Sequence, residues 1–201
     1  MIQQSKEPLL MGSPAEPGPS RRVIQLPIEP GLICRKGLSP TRLRFEVEYG
    51  LERGTTANSF LFLPSGDDPA LLVHPPGNTF AEPYLEALAR LVPPSTRLQV
   101  VVGHTNPNRV QLLRQLAQGW PHLELISSNP GAQLLRELWD QRKPAPPGAA
   151  AAAEPEALPP LPPLQVVRGE AELQRAAGHN IQLLPTPTPR WPGGLMAFEE
   201  T

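Results

Sequence analysis

Apolar and polar residues alternate with the period of a β-strand in several parts of the chain. The alternation over residues 43–49 predicts a half-buried strand, which Gly50 closes. Apolar runs at residues 59–63 and 70–74 are separated by the turn sequence Ser-Gly-Asp-Asp-Pro, and this arrangement predicts a β-hairpin. Further strands are predicted at residues 164–167, 180–184 and 194–198.

Helical spacing of apolar residues begins after the second arm of this hairpin. Leu85, Leu88 and Leu91 lie three residues apart, and Thr79 is predicted to cap the helix that carries them. His74, at the end of the preceding apolar run, is interpreted as a buried or turn histidine, because no Cys, Asp or Ser nearby completes a catalytic triad with it.

A strand-to-helix unit then occurs twice in succession. An apolar run at residues 98–102 leads to Asn106 and Pro107, and a second run at residues 123–126 leads to Asn129 and Pro130. In each copy the asparagine is predicted to be the N-cap and the proline the first helical residue. Two consecutive units of this kind predict an α/β fold with helices packed on parallel strands.

Proline divides the chain into segments. Twelve of the 29 prolines fall in two segments, so we expect a disordered tail over residues 1–22 and a solvated Pro/Ala-rich insertion over residues 143–163. A polyproline ligand is the alternative interpretation of the insertion. The ordered domain is therefore predicted over residues 23–142 and 164–201.

Charge and cysteine content exclude several classes of protein. The formal net charge of −1 gives no electrostatic basis for binding nucleic acid, and a single cysteine, Cys34, allows neither an intrachain disulfide nor a thiolate metal cluster. No run of 18 apolar residues and no signal-like N-terminus occurs, so a cytoplasmic protein without a membrane span is expected. The sequence contains no phosphate-binding glycine loop, so it does not predict a flavin or nucleotide site.

The strongest candidate site is the corner at residues 103–109, with the sequence Gly-His-Thr-Asn-Pro-Asn-Arg. It lies where a predicted buried strand gives way to a helix, which is where α/β folds commonly place their functional side chains. The candidate residues are His104, Asn106, Asn108 and Arg109.

Three stretches together resemble a known family. They are the corner itself, Arg-Gly-Thr-Thr-Ala-Asn-Ser-Phe-Leu at residues 53–61, and Pro-Thr-Pro-Thr-Pro-Arg-Trp-Pro at residues 185–192. In this order and strand context they resemble the N-terminal metallo-β-lactamase-like domain of flavodiiron proteins, most closely that of the cyanobacterial diflavin flavoproteins. The resemblance runs from residue 32 to the end, apart from the Pro/Ala-rich insertion.

The resemblance implies an αββα sandwich, α/β in class or α+β by some schemes, with a non-haem diiron centre. In the family an FMN domain follows, and electrons from NAD(P)H pass through flavin to iron, where dioxygen is reduced to water. This chain is expected to be a partial sandwich, ending before the later ligands and the flavin domains. It is therefore expected to be inactive alone.

The ligand positions implied by the resemblance are largely changed. The family motif His-x-Glu-x-Asp-His corresponds to His104, Asn106, Asn108 and Arg109, so only the first histidine is kept. In a later His-Trp-Pro segment, Arg190 stands at the histidine position. Asparagine offers only a neutral oxygen and arginine has no free lone pair, so no competent diiron site and no cofactor in this chain are expected.

Two interpretations of the changed corner stay open. Arg109 and Arg190 would face one cavity with the other three residues and form an anion pocket, or Asn106 would simply cap a helix while the arginines find other partners. Asn129 and Pro130 favour the second, because they repeat the cap with no ligand role. Trp191 is expected to pack the loop.

Three functions remain possible at this level, and enzymatic activity is undecided. The chain is a piece or partner subunit of an oxygen-reducing flavodiiron-type flavoprotein, a metal-free anion-binding or regulatory module, or a gene fragment without function.

Overall fold

The structure, a computed structural model, describes residues 21–40, 44–45, 49–50, 54–141, 157–169 and 172–200. The described strands, in chain order, are β1 (Arg22–Glu29), β2 (Leu32–Ser39), β3 (Arg44–Phe45), β4 (Tyr49–Gly50), β5 (Thr55–Phe62), β6 (Ala70–Val73), β7 (Leu98–Val101), β8 (Leu123–Ser128), β9 (Leu164–Val167), β10 (Glu172–Ala176), β11 (His179–Pro185) and β12 (Leu195–Glu200). The described helices are α1 (Ala81–Ala89), α2 (Pro107–Gly119) and α3 (Asn129–Trp139). No helix among these residues is both long and apolar enough to cross a bilayer.

A seven-stranded sheet in the order β1-β2-β5-β6-β7-β8-β9 forms the centre of the fold. Its first four strands pair antiparallel, and β6 to β9 pair parallel. The parallel half contains the two predicted strand-to-helix units. The four residues of β6 are all buried, as expected for a strand covered on both faces.

The two faces of this sheet have separate cores. On one face the three helices pack through a large cluster that includes Leu72, Leu88, Val100, Leu113 and Leu135. On the other face a three-stranded antiparallel sheet, β10-β11-β12, packs through a cluster that includes Phe62, Val101, Ile126, Ile181 and Leu195. The layers are therefore helix, sheet and sheet.

The beginning of the fold differs from the sequence prediction. β1 and β2 form an antiparallel hairpin that the pattern analysis missed, because β1 is a largely exposed edge strand and contains Pro27. The single strand predicted over residues 43–49 is wrong, since β3 pairs antiparallel with β4 and the chain reverses between them. Residues 46–48 lie outside the described residues.

Two predicted helix caps are also wrong. The cap of α3 is Ser128, whose Oγ accepts the Gly131 N–H at 3.3 Å, so Asn129 is already the first helical residue. Serine caps as well as asparagine does, and β8 delivers it directly to the helix start. Thr79 caps nothing: it lies inside a 3₁₀ turn, Asn78–Phe80, that precedes α1.

Two buried arginines serve the packing. The Arg114 guanidinium donates to the carbonyls of Leu138 and Gln141, both at 2.8 Å, and also to that of Trp139, so it satisfies the free carbonyls at the end of α3. Arg35 is fully buried, stacks on the Tyr84 ring at 3.9 Å and donates to the Tyr84 carbonyl at 2.6 Å.

The end of the Pro/Ala-rich segment contacts the domain. Trp139 Nε1 donates to the Pro159 carbonyl at 2.8 Å, and Leu161 packs against the helix-side core. The segment predicted as a solvated loop over residues 143–163 therefore contacts the domain at Pro159 and Leu161. The rest of that prediction, and the disordered tail over residues 1–20, lie outside the described residues.

Candidate functional site

A cavity of roughly 920 Å³ opens beside the residue 103–109 corner. It lies between the ends of β6 and β7, the first turn of α2, residues 55–58 of β5 and the loop that joins β11 to β12. This volume is within the range of small-molecule pockets, about 300–1,000 Å³. The corner, predicted as the candidate site, thus forms one wall of a cavity large enough for a ligand.

Asn106 caps α2. Its backbone is extended, and its Oδ1 accepts the Arg109 N–H at 2.9 Å while Pro107 begins the helix. The cap predicted for this first unit is confirmed. Asn108 lines the cavity from the first turn of the helix, and its Nδ2 donates to Thr79 Oγ1 at 3.4 Å. Both amides are therefore already engaged with the protein.

Arg109 brings a positive charge to the cavity wall. Its Nη1 donates to the His104 carbonyl at 3.2 Å, and no carboxylate forms an ion pair with it among the described residues. Burial lowers the pKa of its guanidinium, although arginine remains protonated in proteins. None of the described lining residues is an aspartate or glutamate, so this charge has no counterion in the cavity wall.

His104 contacts the loop on the opposite side of the cavity. Its ring and the Trp191 ring meet edge to face, with centroids 5.5 Å apart and an interplanar angle of 73°. The Trp191 N–H donates to the Thr188 carbonyl at 3.1 Å, and its side chain stays 47% exposed. Burial and the Arg109 charge lower the pKa of His104. Trp191 thus packs against the site as well as its own loop.

His74 is a cavity residue that the sequence analysis did not assign to the site. It has a φ of 56°, which is a rare conformation for a residue with a side chain. Burial, Arg109 and His104 lower its pKa to about 4, so its imidazole is neutral near pH 7. A single histidine at the end of an apolar run does not indicate, from the sequence alone, that it lines a cavity.

Gly103 makes room for that imidazole. A Cβ at Gly103 would lie 1.7 Å from His74 Cε1 and 2.5 Å from the Leu195 carbonyl oxygen. His74 therefore occupies space that only a glycine leaves free.

Arg190 departs from the expectation that both arginines face one cavity. It is exposed and is not among the residues that line the cavity, although its neighbour Trp191 is. Of the five predicted site residues, the structure brings together His104, Asn106, Asn108 and Arg109, and it places Arg190 outside their cavity.

Comparison with known proteins connects this geometry to a family. The sequence is 39% identical over 179 residues to diflavin flavoprotein A 6 of Nostoc sp. strain PCC 7120, which is 89% of this chain and 28% of that protein. The fold matches the metal-soaked Flv1 flavodiiron core from Synechocystis sp. PCC6803 with a TM-score of 0.72 and 34% identity, over 90% of this chain and 40% of that one. This chain is homologous to the flavodiiron core.

A second solved structure agrees. The 1–254 fragment of diflavin flavoprotein A 5 from Nostoc sp. PCC 7120 matches with a TM-score of 0.68 and 32% identity, over 89% of this chain and 62% of the fragment. No protein-family model matches the sequence. The resemblance to flavodiiron proteins and the α/β fold are confirmed, while the chain spans less than a third of the diflavin flavoprotein to which it is 39% identical.

Diiron and FMN are cofactors of the flavodiiron family. Iron pairs are held by several imidazoles and carboxylates, whose negative charge offsets that of the metal. The corner instead supplies amides that already hold a helix cap and a threonine, together with a guanidinium that repels cations. Even with His74 added to His104, the described residues that line this cavity do not supply the donor set of a diiron centre.

Proposed function

We propose that this chain is the metallo-β-lactamase-like core portion of a flavodiiron-type protein whose cavity binds a small anion without a metal. The observation that carries the proposal is the Arg109 guanidinium, which lies in the cavity wall with no carboxylate among the described lining residues. Electron transfer and oxygen reduction are not assigned to this cavity.

The surroundings of Arg109 favour an anion over a cation. The guanidinium donates a hydrogen bond to the His104 carbonyl, and the dipole of α2 favours negative charge near the first turn of that helix. Burial and the Arg109 charge lower the pKa of His104, and they lower that of His74 to about 4, so a neutral His74 imidazole keeps one N–H that can donate a hydrogen bond to a bound anion.

Anion titrations of the purified 201-residue chain test the proposal. Chloride, phosphate and acetate are added at constant ionic strength, and we expect at least one to raise the Tm in a saturable manner. Arg109→Gln should remove the shift. Arg97→Gln, which changes an exposed arginine at the opposite end of β7, should keep it. Absence of any saturable shift, or an unchanged shift in Arg109→Gln, would contradict anion binding here.

Arg190→Gln decides between the two arginines. Because Arg190 lies outside the cavity lining, we expect this variant to retain the anion-dependent shift. Loss of the shift in Arg190→Gln alone would mean that the loop arginine, and not Arg109, is the binding group.

Association with a flavodiiron-type flavoprotein chain is the second candidate function. It is favoured by large apolar residues that are exposed to solvent on two sheets. Phe60 is 40% exposed, Met196 is 50% exposed and Phe198 is 53% exposed. The chain also covers only 40% of the Flv1 core. A pull-down from native cells should recover a flavin-containing chain, and recovery of none would count against this candidate. The anion experiment is independent of that outcome.

A further inference from the structure

Two hairpin turns meet where the seven-stranded and three-stranded sheets join, and none of their residues lines the cavity. One is the β1–β2 turn, which contains Gly31, and the other is the β10–β11 turn, which contains Ala177. Gly31 has a φ of +80°, and a Cβ added to it would lie 2.9 Å from the Ala177 Cβ. Ala177 itself has a φ of 54°. The two turns therefore lie in close contact.

Three ligand-type side chains converge beside these turns. They are Glu29 at the end of β1, His179 at the start of β11 and Glu199 in β12, and one ligand atom of each lies within 4.8 Å of the others. The His179 ring packs edge to face on Phe62, with centroids 5.4 Å apart. The side chains of His179 and Glu199 are only 14% and 25% exposed. The histidine is thus held in place from both sheets.

The hydrogen bonds of His179 give its two ring nitrogens different roles. Nε2 lies 3.2 Å from the Pro30 carbonyl, and Nδ1 contacts the Glu199 carboxylate. A carbonyl can only accept a hydrogen bond, so Nε2 carries the N–H that donates to it, and Nδ1 is left to ligate when His179 is neutral. Histidines that bind metals characteristically donate their other N–H to a carbonyl or carboxylate in this way.

The charge of the cluster also favours a divalent cation. Two carboxylates surround one imidazole, so the cluster keeps a net negative charge even when the imidazole is protonated. One imidazole nitrogen with two carboxylate oxygens is a donor set that zinc and related divalent ions accept, with water completing the coordination. None of these residues lines the cavity at the corner.

We propose that Glu29, His179 and Glu199 bind a zinc-class divalent cation that links the two sheets at this seam. The cation occupies the position of the proton between His179 Nδ1 and Glu199, and that proton is released to solvent. His179 Nε2–H continues to donate to Pro30. Glu29 is exposed, and its carboxylate, which already lies within 4.8 Å of the other two ligand atoms, is the third ligand.

The test is calorimetric titration of ZnCl₂ into the full 201-residue chain, free of tags and stripped of metal by a chelator that is then removed. We expect saturable binding of one cation per chain and a rise in Tm. Cobalt(II) should give an absorption spectrum of a bound rather than a hydrated ion. His179→Gln should weaken binding by at least about tenfold, the scale on which perturbing a metal site acts.

Matched variants locate the cation. His122→Gln changes an exposed histidine outside the cluster, and His104→Gln changes the cavity, so both should bind zinc as the unmodified chain does. Glu29→Gln removes an exposed ligand and tests the site even if His179→Gln fails to fold. Undiminished zinc binding in Glu29→Gln and His179→Gln, loss of binding in His104→Gln, or no saturable binding at all would each overturn the proposal.

Discussion

Replacing Gly103 with alanine should destabilise the protein through one methyl group. The added Cβ would lie 1.7 Å from His74 Cε1, 2.4 Å from His74 Nδ1 and 2.5 Å from the Leu195 carbonyl oxygen. Rotation of His74 can relieve the first two overlaps. The third involves the backbone of a buried residue of β12 that pairs with Pro185, so it requires a shift between layers of the fold.

Overpacking of this kind costs about 1–3 kcal/mol. For a chain of this size that corresponds to a fall in Tm of about 2–12 °C. Thermal unfolding followed by circular dichroism measures the effect, and urea denaturation checks the free energy of unfolding independently.

Gly119→Ala is the control for Gly103→Ala. Gly119 ends α2, and a Cβ added to it would meet nothing within 4 Å, so alanine at this helical position should be neutral or stabilising. A Gly103→Ala protein that unfolds at the same temperature as Gly119→Ala would refute the argument that His74 and Leu195 leave no room at the corner.

Three further substitutions test other parts of the structure. Tyr84→Phe removes the 2.7 Å hydrogen bond to Ser59 Oγ, and it should lower the free energy of unfolding in urea by about 0.5–1.5 kcal/mol. Arg114→Met leaves the carbonyls at the end of α3 without their charged donor, and it should cost about 1.5–3 kcal/mol in the same assay. His74→Asn tests pH dependence: as the pH falls from 6.5 to about 4, the unfolded chain takes up a proton that folded His74 excludes, so the unmodified protein should lose up to about 3 kcal/mol of stability. The asparagine variant, which tolerates positive φ, should lose less over this range, and identical pH profiles would contradict a buried neutral His74.

Local sequence signals predicted the parallel half of the fold and one wall of the site. The two strand-to-helix units and the cap at Asn106 depend on residues close together in the chain, so the sequence pattern alone predicts them. The sequence predicts the cap of α3 at Asn129, one residue too late, because Ser128 and Asn129 are both good cap residues. Only the position at which β8 ends shows that Ser128 is the cap.

The remaining features depend on contacts between distant parts of the chain. His74 enters the cavity through a positive φ and through space left by Gly103, 29 residues later, and neither is visible in the apolar pattern. The His179 cluster exists only because two sheets pack with their hairpin turns together. The resemblance predicts Arg190 in the cavity, but the direction of a side chain in a proline-rich loop is not determined by its position in a motif.

The cap at Asn106 ties the chemistry of the corner to the stability of α2. The resemblance places a ligating glutamate at this position, whereas here the Asn106 Oδ1 holds the first turn of α2. Glutamate is not among the favoured N-cap residues, and the loss of a cap costs about 0.5–2 kcal/mol. A glutamate at position 106 would therefore weaken the start of α2, so the side chain at this position serves helix stability and cavity chemistry at once.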